Sequence, residues 1–146
     1  SNINNLKPFS INHASFELKC GIYSNLERII NSFGDNVNYY LIVRNELKEI
    51  IQEKFPRYIV NPEKIPEGLY INGAALWSES HMSKIKKGYA FSSSGNLISF
   101  VSSQDILYND IYNVIDKTSK VTSDLKIDYV SYLWDCIDLI NQYTLN

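Results

Sequence analysis

No apolar run in this chain approaches the roughly 20 residues that span a bilayer, and no signal peptide is visible at its start. Those two absences point to a cytoplasmic protein. Cysteine is scarce as well. Cys20 and Cys136 are the only two, and neither has a neighbouring ligand residue. A chain of 146 residues needs no disulfide to hold a core, so both read as buried thiols in a reducing compartment. His13 and His81 stand far apart and form neither HExxH nor a paired-Cys pattern, which excludes the common zinc spacings. Neither a P-loop nor GxGxxG is present, so nucleotide binding by those two routes is excluded, and no cofactor and no metal are expected. Internal repeats and low-complexity tracts are missing too. The opening Ser1-Asn2 reads as a tag remnant and is given no weight.

What is there describes an ordinary globular chain. Hydrophobic residues make up 45% and charged residues 21%, enough apolar surface to build a core, so disorder is not the default. The length fits one domain over residues 1–146. A net charge of −2 and a pI near 5.6 argue against non-specific binding to nucleic acid. The charge is unevenly placed. Residues 1–73 are neutral, residues 74–104 are basic through Lys84, Lys86 and Lys87, and residues 105–146 hold seven Asp against Lys117, Lys120 and Lys126. Isoleucine, serine and asparagine are over-used while only four alanines occur, a bias of an AT-rich coding sequence with no functional meaning.

The stretch Thr122–Tyr143 draws that acidity into a pattern. At 3.6 residues per turn, Asp124, Asp128, Ser131, Asp135, Asp138 and Gln142 fall within an arc of roughly 80°. Leu125, Tyr129, Leu133, Cys136, Ile137 and Ile140 spread over the other side. This predicts a long amphipathic C-terminal helix. Its polar face carries like-charge pairs, Asp124 with Asp128 and Asp135 with Asp138, where a solvated face ordinarily alternates signs. Asp124, Asp128, Asp135 and Asp138 are therefore the candidate partner-binding residues, facing a basic partner. On this reading folding barely depends on them, and each substitution changes stability by less than about 0.5 kcal/mol.

In chain order, Phe16, Leu18, Cys20 and Ile22 alternate with polar residues and predict a strand over Ser15–Tyr23. Ser24-Asn25-Leu26-Glu27 is a capping box that opens a helix, with Leu26, Ile29, Ile30 and Phe33 as its apolar stripe and Gly34 as its stop. Tyr39–Val43 reads as a strand, and Asn45 caps a helix that runs to Phe55 and ends at Pro56. Residues 56–68 gather Pro56, Pro62, Pro66 and Gly68. Leu69-Tyr70-Ile71 and Ala75-Leu76-Trp77 suit short strands. The clearest hairpin pairs Lys84–Phe91 with Leu97–Ser102 across the turn Ser92–Asn96. Leu97–Val101 is apolar on both faces, as a central strand requires. Ser103 would then cap a helix bearing Leu107, Ile111, Val114 and Ile115.

Candidate chemistry is sparse. Glu79-Ser80-His81 sets three polar groups together, but neighbours in sequence rarely let a base reach a hydroxyl while a third group orients it, so a polar loop is expected. Lys87-Gly88-Tyr89-Ala90-Phe91 fits the first five positions of an RNA-stacking strand, with Leu69–Asn72 as its companion. Ser92 and Ser94 then break the pattern, and the alternative of RNA binding through Lys87–Phe91 ranks behind an ordinary aromatic strand pair. The order of capped helix, strands, Gly95-Asn96-Leu97-Ile98-Ser99-Phe100 hairpin and acidic C-terminal segment resembles bacterial toxin-immunity proteins, including those of contact-dependent growth inhibition. The six-residue strand is also similar to that of the SMI1/KNR4-like immunity superfamily. The resemblance implies a non-enzymatic protein that caps the active site of a cognate toxin, a basic nuclease domain, with an acidic secretion chaperone as the alternative. No nucleic acid or membrane partner is implied. The fold class expected is α+β, a mostly antiparallel sheet of about four to six strands backed by helices.

Overall fold

Ser24 ends an irregular lead-in and starts the first helix. Its hydroxyl accepts the Glu27 N–H at 3.2 Å, and the Glu27 carboxylate accepts the Ser24 N–H at 2.7 Å, so two otherwise orphaned donors are satisfied. The helix stops at Gly34, whose φ of +76° suits a residue without Cβ and whose N–H returns to the Ile30 carbonyl at 2.8 Å. In this computed structural model the described residues are 6, 9–83, 85, 91–93, 96–118, 127–132, 135–136 and 139. Their elements, in order, are α1 (Asn25–Phe33), β1 (Tyr40–Leu41), α2 (Lys48–Lys54), β2 (Ile59–Val60), β3 (Lys64–Ile65), β4 (Gly68–Ile71), α3 (Glu79–Met82), β5 (Phe91–Ser93), β6 (Asn96–Ser102), β7 (Ile106–Leu107) and α4 (Ile111–Thr118). The class is α+β, as expected. The strands fall into three small sheets, β1–β2, β3–β7 and β4–β6–β5, of which the first is parallel and the others antiparallel.

The chain gathers into two compact units. Unit 1 draws on Ser1–Val37, Gly73–Ser83 and Ile127–Asn146, and unit 2 on Asn38–Asn72 and Lys84–Lys126. The heart of unit 1 is Ala74-Ala75-Leu76-Trp77, all fully buried. A buried backbone must find partners for its polar groups. Here the Leu76 N–H donates to the Asp128 carbonyl at 2.9 Å, and the Val130 N–H donates to the Ala74 carbonyl at 3.0 Å. Just before this segment, the Gly73 carbonyl accepts the buried Asn25 Nδ2 at 2.8 Å. A Cβ on Gly73 would stand 2.8 Å from the Phe16 Cβ, so only glycine lets the two backbones approach this closely.

Unit 2 packs Ile65, Leu97, Phe100, Ile106 and Ile111 as its core, with Tyr70, Tyr108, Val114 and Ile115 against them. β6 is the central strand, flanked by β4 and β5, and Leu97, Ile98 and Phe100 are buried on its two faces. The Tyr70 and Phe100 rings stack at 4.5 Å. These placements agree with the apolar run read for a central strand. The helix expected from Asn45 forms as a 3-10 turn, Asn45–Leu47, followed by α2, and it ends before Pro56. Trp77 is core, as its size suggests.

Three expectations need correction. Ser15–Tyr23 is no strand. Ser15–Glu17 is a 3-10 turn held by the Glu17 carboxylate on the Ala14 N–H at 2.7 Å, Gly21 takes a φ of +90°, and Ile22 points outward at 67% exposure. The side-chain alternation was there, but a local carboxylate and a glycine outcompete the ladder. Leu107 is the exposed residue of strand β7, beside the buried Ile106, and the helix that follows it begins only at Ile111. Last, the long C-terminal helix is not formed. Among the described residues Ile127–Val130 is an extended segment, because β-branched and aromatic side chains suit one and because Ala74–Leu76 needs its backbone. Helical geometry returns at Asp135–Cys136.

Three outcomes follow for stability. Ser24→Ala should cost about 1 kcal/mol in urea unfolding. The Ser24 hydrogen bonds hold the Glu27 carboxyl below its ordinary 4.5. A depressed carboxylate stabilises above its unfolded pKa and loses that contribution as pH falls through the folded value, so Glu27→Gln should flatten the acid limb of stability below about pH 4.5. Asp135 accepts the Ser131 and Tyr132 N–H groups at 2.8 Å each, which opens the helical turn. Asp135→Ala should therefore lose about 1 kcal/mol, against the near-neutral effect expected of an acidic face.

Candidate functional site

Among the described residues, a cleft in unit 2 is built around Asn61 and is the candidate site. Asn61 follows the β-branched pair Ile59-Val60 and precedes Pro62, and it adopts a φ of +48°, the one non-glycine residue in the left-handed region among the described residues. Asparagine tolerates that region better than most side chains, and Asn-Pro is a turn signal. The conformation turns its amide back onto the chain that leaves β1. Oδ1 accepts the Val43 N–H at 2.8 Å and Nδ2 donates to the Val43 carbonyl at 2.8 Å, so one side chain occupies the place of a paired strand. Nδ2 also reaches the Tyr108 hydroxyl at 3.1 Å, and that hydroxyl donates to the same Val43 carbonyl at 2.7 Å. The Tyr108 N–H donates to the Glu63 carbonyl at 3.0 Å. Strained backbone held by this many bonds is typical of ligand-positioning sites.

Around this floor lies a cleft of about 300 Å³, lined by Asn45, Lys48, Asn61, Glu63, Leu107, Tyr108 and Asn109. Asn45 and Lys48 come from the start of α2 and its preceding turn, and Leu107, Tyr108 and Asn109 from the turn into α4. Asn61 is buried, Tyr108 half-buried, and the remaining lining residues are exposed. The walls offer two further amides, one ammonium, one carboxylate and a phenol. Burial raises the Tyr108 pKa, with smaller contributions from Tyr112 and Glu46, so the hydroxyl stays protonated and able to donate. No group of three or more His, Cys, Asp or Glu is placed to hold a metal ion among the described residues.

None of the residues singled out as candidates lies in this cleft. Asp128 is exposed on the extended segment, and Asp135 is half-buried and committed to backbone N–H groups. Asp124 and Asp138 lie outside the described residues, so the four do not line one described helix face. Lys87, Tyr89 and the Phe91 side chain also lie outside them. β4 and β5 flank β6 on opposite sides, so Leu69–Ile71 and Phe91 are not on neighbouring strands. Near Glu79-Ser80-His81, the hydroxyl that meets the imidazole belongs to Ser78, at 3.0 Å from Nδ1, while the His81 N–H donates to the Ser78 carbonyl at 3.0 Å. That is the pattern of a helix start, with Ser80 at 2.9 Å from the same hydroxyl. The cleft residues escaped the sequence reading because they are ordinary Asn, Lys and Tyr from three separate stretches. The one local signal was Asn61-Pro62 after a strand.

A family described as sugar nucleotidyl transferase matches residues 1–145 of this chain. No curated protein and no solved structure matches it. The family match overturns the expectation of a non-enzymatic protein, since the family is one of transferases. That expectation rested on the resemblance to toxin-immunity proteins and on sparse candidate chemistry, and the missing glycine-rich loops exclude only two phosphate-binding geometries.

The Asn61 network gives a paired test. Asn61→Ala loses three side-chain hydrogen bonds and keeps an unfavourable backbone, and should cost at least about 3 kcal/mol in chemical unfolding. Asn61→Gly relieves the backbone but not the lost bonds, so it should fall between Asn61→Ala and wild type.

Proposed function

The chain belongs to the sugar nucleotidyl transferase family, and from that premise we propose that the unit 2 cleft binds the sugar-bearing substrate of a nucleotidyl transfer. The observation that supports this reading is the composition of the cleft. A sugar presents hydroxyls that each donate and accept, and the Asn45 and Asn109 amides can do both in return, while the Tyr108 hydroxyl, whose proton goes to the Val43 carbonyl, keeps a lone pair to accept. Glu63 accepts from a hydroxyl, and Lys48 supplies a positive charge for a phosphate oxygen on the same substrate. A volume of about 300 Å³ lies at the lower end for small-ligand sites and suits one sugar unit better than a whole nucleotide sugar.

Transfer of a nucleotidyl group between oxygens asks the protein mainly for positioning and for neutralisation of phosphate charge. In this proposal Asn61 and Tyr108 fix the floor against which the sugar rests. Lys48, at the beginning of α2, meets the charged end.

Titration calorimetry with a hexose 1-phosphate tests the proposal. Wild type should bind, and Lys48→Ala should weaken binding about tenfold, the loss of one charge-assisted contact. Asn109→Ala should weaken it by a factor of a few. The unphosphorylated hexose should bind more weakly to wild type and be indifferent to Lys48→Ala. A double variant, Lys48→Ala with Asn109→Ala, that binds the sugar phosphate as tightly as wild type would remove the cleft from the reaction.

A further inference from the structure

The two cysteines read from the sequence as separate thiols meet in the fold of unit 1. Cys20 is fully buried, and its carbonyl accepts Arg28 Nη2 at 2.6 Å, which holds the segment between Leu18 and Ser24 in place. Cys136 sits in the helical turn that Asp135 opens and is 8% exposed. Both belong to one apolar cluster with Leu6, Leu18, Leu76 and Val130, and the two thiols interact within it. We propose that Cys20 and Cys136 form a reversible redox pair, which a peroxide closes into a disulfide joining the first and third stretches of unit 1.

The pair is asymmetric, and the asymmetry assigns the roles. The interaction with the Cys20 thiol lowers the Cys136 pKa and, with burial, raises that of Cys20. Two charged groups face them. Arg28 favours a thiolate at Cys20 and Asp135 opposes one at either sulfur, and the contact between the two cysteines outweighs both. Cys136, the more exposed of the two and the one a peroxide meets first, is the attacking sulfur, and the fully buried Cys20 is the resolving one. The Cys136 thiolate attacks one peroxide oxygen, the O–O bond breaks, and the departing hydroxide takes up a proton as water, leaving a sulfenic acid. The Cys20 sulfur then attacks the Cys136 sulfur. The S–S bond forms, the S–O bond breaks, and the hydroxyl leaves as water with the Cys20 proton. Two thiols are oxidised by two electrons, and hydrogen peroxide is reduced to two waters. A peroxide molecule is small enough to reach a sulfur that a protein-sized oxidant could not.

The whole chain, treated with a slight excess of hydrogen peroxide and quenched in acid, tests this. Free thiols should fall from two to none, with a mass decrease of two hydrogens and a Cys20–Cys136 linked peptide. The oxidised chain should stay a monomer and melt at least about 5 °C higher, because the bridge closes a long loop, and dithiothreitol should reverse both changes. In Cys20→Ser, Cys136 should stop at a sulfenic acid that dimedone traps. Cys136→Ser should leave Cys20 reduced. Both thiols surviving a several-fold excess of peroxide, sulfinic acid forming without a cross-link, or disulfides forming only between chains would each overturn the proposal. The wild-type measurement stands by itself if a variant fails to fold.

Discussion

Unit 2 is arranged around one amide. The Val43 N–H and carbonyl leave β1 with no strand beside them, and a buried backbone cannot leave such groups unmet. Asn61 meets both with a side chain, and it reaches them only because its backbone takes up a left-handed conformation. Tyr108 then shares the Val43 carbonyl, which binds the turn before α4 to the end of β1. The cleft is a by-product of this arrangement. Its floor is a fully satisfied polar network, and its walls are the exposed ends of the elements so joined.

Unit 1 solves the same problem by a different route. Ala74–Trp77 is wholly buried, and the backbone of Asp128–Val130 rather than a side chain completes it. Around that pair the polar groups that must be inside are anchored to carbonyls: Asn25 to Gly73, and Arg28 to Cys20. The guanidinium of Arg28 is buried, and its Nη2 is anchored on the Cys20 carbonyl.

What could be read from the sequence was local. Ser24, Glu27 and Gly34 announce α1, and Pro56 closes α2, because a cap or a stop depends on residues within one turn. The apolar run of β6 was legible because burial on both faces leaves its mark on each residue. Ser15–Tyr23 misled, since its alternation is compatible with a strand and the deciding Glu17 contact is a three-residue matter with no periodic signature. The stretch from Ile127 fits helical periodicity on paper. Its conformation is set by Ala74–Leu76, more than fifty residues away, and periodicity cannot register a demand made from that distance. The cleft was illegible for the same reason, apart from Asn61-Pro62.

Because unit 1 is assembled from three separated stretches, its completion depends on the order of synthesis. Leu18, Leu26 and the Ala74–Trp77 segment emerge from the ribosome well before Ile127–Val130, the backbone that pairs with that segment. At ordinary elongation rates the passage of residues 78–126 lasts on the order of 2 to 10 s, long enough for unit 2 to begin folding while unit 1 waits with an unpaired, apolar segment. Nascent-chain chaperones would find their target in that interval. A stop introduced shortly before Ile127 would leave most of the apolar side chains of unit 1 in the chain but remove the segment that buries their backbone, so late truncations should be cleared by proteolysis rather than tolerated as shorter proteins.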